Sequence, residues 1–155
     1  DWVIKGKPSA VGIAVGAVVG LVAITPCAGF VSVSSAIIIG LIAGVISNLV
    51  ANWRVGRSRI DDTLDVFACH GVGGIWGSIA VGLFASVGVN GLFFGNPDQL
   101  VAQLIAVAVV APFSFVGSYV LLKVVNKFSP LRVSPEEEDA GLDLSEHGEE
   151  AYQLD

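Results

Sequence analysis

Three long stretches of this 155-residue chain contain no Asp, Glu, Lys or Arg. They cover residues 8–53, 66–97 and 99–122, which is 46, 32 and 24 residues in turn. A helix needs roughly 20 apolar residues to cross the hydrocarbon core of a membrane, so the first stretch is long enough for two crossings and the others for one each. A transmembrane β-barrel would require short alternating segments, which these stretches lack. The sequence therefore predicts an all-α fold, a polytopic transmembrane helix bundle with four spans.

Breaker residues and charges divide the chain into these spans and a tail. The four predicted spans lie at about residues 8–25, 33–53, 62–86 and 98–125. The last 20 residues hold nine of the 14 acidic residues and no Lys or Arg. We therefore expect a transmembrane domain over residues 1–127 and an acidic cytoplasmic tail over residues 128–155. The net charge of −6 resides in that tail and gives no indication of a nucleic-acid partner, so the expected surroundings are membrane lipid.

The basic residues indicate how the bundle is oriented. With four spans, all eight fall on one side of the membrane, and basic residues concentrate on the cytoplasmic side. The sequence thus predicts a multi-pass protein of the plasma (inner) membrane whose C-terminus is cytoplasmic. No signal peptide is visible, and the first residue is Asp1, so we expect the numbering to start within a larger protein. The basic residues are Lys5, Lys7, Arg54, Arg57, Arg59, Lys123, Lys127 and Arg132.

The third predicted span carries a histidine. His70 lies eight residues after Asp62, which is about 12 Å into a hydrocarbon core about 30 Å thick. An ionisable group at that depth is costly unless it faces a cavity or a partner, so His70 is a candidate functional residue. The residues predicted to share its helical face are Val66, Gly73, Gly74 and Gly77. Bare glycines there suggest a narrow passage or a very close helix, and the alternative is a neutral histidine hydrogen-bonded to another helix.

Three aspartates surround the start of the same span. Asp61 and Asp62 suit a helix N-terminus, whose partial positive charge they complement. Asp65 is offset by about 140° from His70 at ~100° per residue, so we expect it to bond backbone or hydroxyl groups within the bundle. The sequence has no phosphate-binding loop, potassium-filter sequence or dense Cys/His cluster. We therefore expect no metal site, no cofactor and no enzymatic activity.

Three segments carry distinctive strings. Residues 62–74 read DTLDVFACHGVGG, residues 20–31 read GLVAITPCAGFV, and residues 141–152 read GLDLSEHGEEAY. They resemble, respectively, the tenth-helix signature, the end of the eighth helix and the cytoplasmic C-terminal motif of the ammonium transporter (Amt/Rh) family. The resemblance covers the chain from the end of that family's seventh helix through its eleventh helix and tail.

The resemblance implies a transport function. Members of the family are homotrimers of eleven-helix subunits, each with a narrow hydrophobic pore in which two histidines form a hydrogen-bonded pair. His70 matches the second of these histidines, and the first would lie on a helix outside this sequence. We expect ammonium, ammonia and methylammonium as substrates, with His70 relaying a proton or orienting the substrate while Val66 and Thr25 help to line the path.

The resemblance also bears on the tail. From composition alone, a segment of this kind is expected to be disordered. The family implies instead an ordered regulatory tail that carries Ser145, His147, Gly148 and Tyr152, docked near Arg57 and Asp61. In the family a PII-type signal protein binds the cytoplasmic face, and in some members a hydroxyl residue at the position of Ser145 is phosphorylated. Two other functions stay open, an ammonium sensor and a non-transporting subunit of a membrane complex.

Overall fold

The computed structural model describes residues 6–57 and 60–150. Within these ranges the chain is helical, with turns and one isolated β-bridge between Val31 and Ala85. Four helical segments are long and apolar enough to cross a membrane. The all-α class and the four spans are thereby confirmed. Lys5, Arg59 and Tyr152, on which predictions above depend, lie outside the described residues.

The helices follow the chain in a simple order. The four long elements are α1 (Ala10–Ile24), α2 (Val33–Arg57), the α3 segment (Phe67–Phe84) and α4 (Pro97–Phe128). The α3 segment consists of a π-helical turn, Phe67–Val72, followed by an α-helix, Gly73–Phe84. A 3-10 turn, Thr25–Cys27, ends α1, and a second, Leu92–Phe94, precedes α4. The tail contains helix α5 (Pro135–Ala140) and a π-helical turn, Asp143–His147.

The predicted spans and the helices differ most at the start of the third span. That span was expected to begin near Asp62, whereas the α3 segment begins at Phe67. Asp65 has φ +53°, a left-handed backbone conformation that interrupts a right-handed helix. Residues 61–65 therefore form a non-helical entry, and the prediction of a helix start at Asp62 is wrong. The other bounds shift less, since α2 ends at Arg57 and α4 ends at Phe128.

The described residues up to Val110 form one compact unit in which α1, α2 and the α3 segment pack on one another. Most of its buried side chains are small, which lets helix backbones come close together where lipid removes the hydrophobic driving force. The closest approach is at Gly77, where an added Cβ would overlap the carbonyl oxygen of Ala23. The buried residues of this core are Val19, Ala23, Cys27, Ile39, Ala43, Cys69, Ala80, Val81 and Ala85.

The described residues from Ala111 onward form a second compact unit that holds the end of α4 and the described part of the tail. Helix α5 begins with a capping box, in which the Ser134 hydroxyl accepts from the Glu137 amide and the Glu137 carboxylate accepts from the Ser134 amide. The bond from the Ser134 amide, and after it a hydrogen bond with the Ser134 side chain, stabilise the Glu137 carboxylate and hold its pKa below the usual value. The described part of the tail is thus folded locally, in contrast to the disorder that its composition indicates.

Candidate functional site

Asp62 caps the start of the α3 segment. Its carboxylate oxygens accept hydrogen bonds from the amides of Val66 and Phe67 at 2.8 Å and 2.9 Å. The Phe67 amide is the main cause of a lowered pKa of Asp62, to which the Val66 amide and the Arg54 charge also contribute while desolvation opposes them. Asp61 is exposed and accepts from the Thr63 hydroxyl at 3.4 Å. The carboxylate of Asp62 therefore serves the unpaired amides of a helix N-terminus.

Asp65 is paired with an arginine from α2. Its Oδ1 accepts from Nη2 of Arg54 at 2.8 Å and from Nε at 3.2 Å. Arg54 also donates to the carbonyl of Ile60 at 3.2 Å, which ties the end of α2 to the entry of the α3 segment. The expectation that Asp65 bonds backbone or hydroxyl groups is corrected by this ion pair. Arg54 is the first charged residue after the long apolar stretch, but the distance between it and Asp65 depends on how the chain folds between them.

Two hydrogen bonds fix the α3 segment against α2. The Ser47 hydroxyl donates to the Ala68 carbonyl at 2.8 Å, and the Trp76 indole donates to the Ile39 carbonyl at 3.0 Å. The two contacts are eight residues apart on each helix and run in opposite directions along the chain. The helices are therefore antiparallel in a constant register over this length.

This register gives the height of His70. His70 comes two residues after Ala68, so it lies level with Val45, two residues before Ser47. Val45 is the thirteenth of the 25 residues of α2, the central position of a helix long enough to cross a membrane. The imidazole is therefore at mid-height of α2 even though it is only the fourth residue of its own segment.

The π-helical turn decides which way His70 points. Ala68 and Cys69 are buried, whereas His70 is exposed on the surface of the unit. Gly73 and Gly77 are buried and pack against α1, where added Cβ atoms would meet Val22 and Ala23. The prediction that these two glycines share the face of His70 is therefore wrong. A π turn inserts an extra residue, which rotates the residues after it by ~100° relative to an α-helix.

The other two predicted pore residues are also exposed. Val66 immediately precedes the π-helical turn and is 50% exposed. Thr25 lies in the turn that ends α1, and its hydroxyl donates to the Leu21 carbonyl at 2.7 Å. The neighbouring Cys27 thiol donates to the Gly77 carbonyl, which places Thr25 close to the level of Gly77, seven residues beyond His70. Within the described residues, no side-chain hydrogen bond joins His70, Val66 and Thr25.

A groove of about 680 Å³ lies between α1 and α2, away from these three residues. Its walls are rich in glycine, and the polar residues that line it include Asn48, Asn52 and Asp65. The glycines that line it are Gly12, Gly16, Gly40 and Gly44. The groove and the His70 face are therefore separate features of the same unit.

The predicted regulatory residues lie in the π-helical turn that follows α5. The Ser145 hydroxyl donates to the Gly141 carbonyl at 3.0 Å and lies 3.4 Å from the Glu137 carbonyl. His147 is exposed, and Gly148 ends the turn with φ +68°, a conformation that glycine adopts without strain. Ser145 thus connects the turn to α5.

Comparison with known proteins identifies relatives of this chain. The profile of the Ammonium Transporter Family matches residues 1–152. The ammonium transporter Amt1 of Archaeoglobus fulgidus is 53% identical over an alignment of 152 positions that covers 96% of this chain and 39% of the relative. An ammonium transporter of Bacillus subtilis is 46% identical over an alignment of 162 positions that covers 99% of this chain and 39% of the relative. The chain therefore spans less than half the length of the relatives it matches.

Solved structures agree in fold. The crystal structure of Candida albicans Mep2 superposes with a TM-score of 0.79 at 35% identity and covers 88% of this chain and 32% of the matched chain. Mep2 of Saccharomyces cerevisiae gives a TM-score of 0.77 at 33% identity and covers 87% of this chain and 32% of the matched chain. Both the helical architecture and the predicted family resemblance are confirmed by these matches.

Proposed function

Since this chain belongs to the Ammonium Transporter Family, we propose that it forms part of a path that carries ammonium, ammonia and methylammonium across the plasma membrane. The named relatives are described as ammonium transporters, which supports the substrate. The observation that carries the proposal within the chain is His70, an exposed imidazole at mid-height of a membrane-spanning bundle.

An imidazole at this height suits the chemistry of ammonium. An ammonium ion is costly to bring into an apolar interior, whereas ammonia is small and neutral. Histidine accepts and donates protons, with an ordinary pKa of about 6.5. An imidazole on the path can therefore take a proton from the substrate or orient it.

The remaining parts of the site are proposed to lie in the portion of the full-length protein that this chain does not cover. The exposed face of His70 is where a second histidine from another helix would form the pair, within each subunit of a homotrimer. Val66 lies four residues before His70, and Thr25 lies close to the level of Gly77, beyond His70. Their exposure on either side of His70 along the span supports a role in lining the path.

Uptake of labelled methylammonium into vesicles that contain the full-length protein tests the proposal. We expect uptake well above that of protein-free vesicles, and inhibition by added ammonium. An ammonium sensor would bind ammonium with little flux, and a structural subunit would neither bind nor carry it. Either of these results would contradict the proposal.

We also propose that the tail regulates transport from the cytoplasmic side. The Ser145 hydroxyl bonds the carbonyls of Glu137 and Gly141, and Asp143 and Glu146 are nearby in the sequence. A phosphate on Ser145 would remove these hydrogen bonds and repel the two carboxylates, which would disrupt the turn. A PII-type signal protein is the proposed partner on that side. Deleting residues 136–155 should change the uptake rate or its response to nitrogen supply, and unchanged values of both would contradict the regulatory role.

A further inference from the structure

The hydrogen bonding around the π-helical turn Phe67–Val72 is irregular. Amides in such a turn reach carbonyls five residues back, whereas the Gly73 amide at its end donates to the His70 carbonyl, three residues back. The turn also receives a hydrogen bond from outside its own helix, from the Ser47 hydroxyl to the Ala68 carbonyl. A carbonyl oxygen has two acceptor positions, so it can accept this hydroxyl in addition to a helix amide.

Ser47 is placed specifically for this contact. Two polar side chains are buried within the described ranges, Ser47 at 3% exposed and Ser35 at 7%. Ser35 bonds Ser32, three residues earlier in the sequence, whereas Ser47 reaches across to the α3 segment. Both serines lie on α2, which makes Ser35 a matched reference, a buried hydroxyl whose hydrogen bond stays at its own end of α2.

We propose that Ser47 is a positioning residue for His70 and holds the π-helical turn in the form that points the imidazole away from α1 and α2. This inference rests on the proposed function of His70. Ala68, whose carbonyl Ser47 binds, lies two residues before His70 within the same turn. Loss of the hydroxyl allows the turn to relax toward an α-helix, which changes the register by one residue and rotates the side chains on one side of the turn by ~100°.

Transport by Ser47 variants of the full-length protein in vesicles tests this. The Ser47→Ala variant should lower the maximal rate of methylammonium uptake by about tenfold or more, since misplacing a reacting group by a small distance has effects of this size. Its pH profile should move as well, because the imidazole enters different surroundings. Ser47→Thr retains the hydroxyl and should keep most of the rate, and the Ser35→Ala control should match the wild-type protein in both readouts.

A second variant separates the loss of the hydrogen bond from a loss of folding. Ser47→Cys keeps the size of the side chain and offers only a weak donor, so it should fall between Ser47→Ala and the wild type. Wild-type rates and pH profiles for both Ser47→Ala and Ser47→Cys would overturn the inference.

The combination of Ser47→Ala with His70→Ala separates this inference from the proposed function. If Ser47 acts through His70, adding Ser47→Ala to the His70→Ala protein leaves the residual rate unchanged. A further loss as large as that in the wild-type background would overturn the positioning role and leave the function of His70 intact. A His70→Ala protein with unchanged transport would instead contradict the proposed function itself.

Discussion

Replacing Gly77 by alanine is expected to destabilise the folded protein by about 2 kcal/mol or more, the range for forcing extra atoms into a packed interior. An added Cβ at Gly77 overlaps the carbonyl oxygen of Ala23 and lies 2.8 Å from Cγ of Pro26. Both contacts involve groups that cannot rotate away, a backbone carbonyl and a proline ring. The α3 segment and α1 would therefore have to separate, which also strains the hydrogen bond from the Cys27 thiol to the Gly77 carbonyl.

The measurement is the thermal unfolding midpoint of the full-length protein in detergent, together with its half-life at a fixed temperature. Gly56→Ala is the matched control, because this helical glycine is exposed and its added Cβ meets no atom within 4 Å. We expect Gly56→Ala to leave both values close to those of the wild type. Equal stability of the Gly77→Ala protein would show that α1 and the α3 segment are not in close contact.

Much of the fold could be predicted because the signal was strong and local. Long uncharged stretches leave few alternatives to membrane helices, so the number of spans and their approximate positions followed from charge alone. The start of the third span did not follow, because the acidic residues at 61–65 look like an ordinary helix N-terminus. Their actual arrangement depends on the tertiary contact between Arg54 and Asp65 and on a left-handed residue, neither of which has a periodic signature.

The candidate site was predicted only in part, because a local motif marks a residue but does not give its tertiary contacts. The motif around His70 marked the residue, but its helical face was assigned with a regular spacing that the π-helical turn does not keep. Ser47 was missed altogether, although a serine within an apolar span is a signal that it has a specific partner. The partner itself is set by the register of two helices, which a single sequence does not give.

Replacing His70 by alanine should have the largest effect on function. If the imidazole accepts or donates the proton of the substrate, its loss removes a contribution that is typically about 100-fold or more in rate. The change should leave the packing of α1, α2 and the α3 segment intact, because the side chain is exposed in this unit and makes no side-chain hydrogen bond among the described residues. A loss of transport with normal thermal stability would therefore point to chemistry at the imidazole.

The direct measurement is the initial rate of labelled methylammonium uptake by the wild-type and His70→Ala proteins, reconstituted at equal amounts. Each rate is measured with and without potassium as a competing cation. We predict that the variant loses most of its uptake or its preference for methylammonium over potassium. An unchanged rate with unchanged selectivity would contradict the claim that the imidazole at mid-height of the bundle faces the path of the substrate.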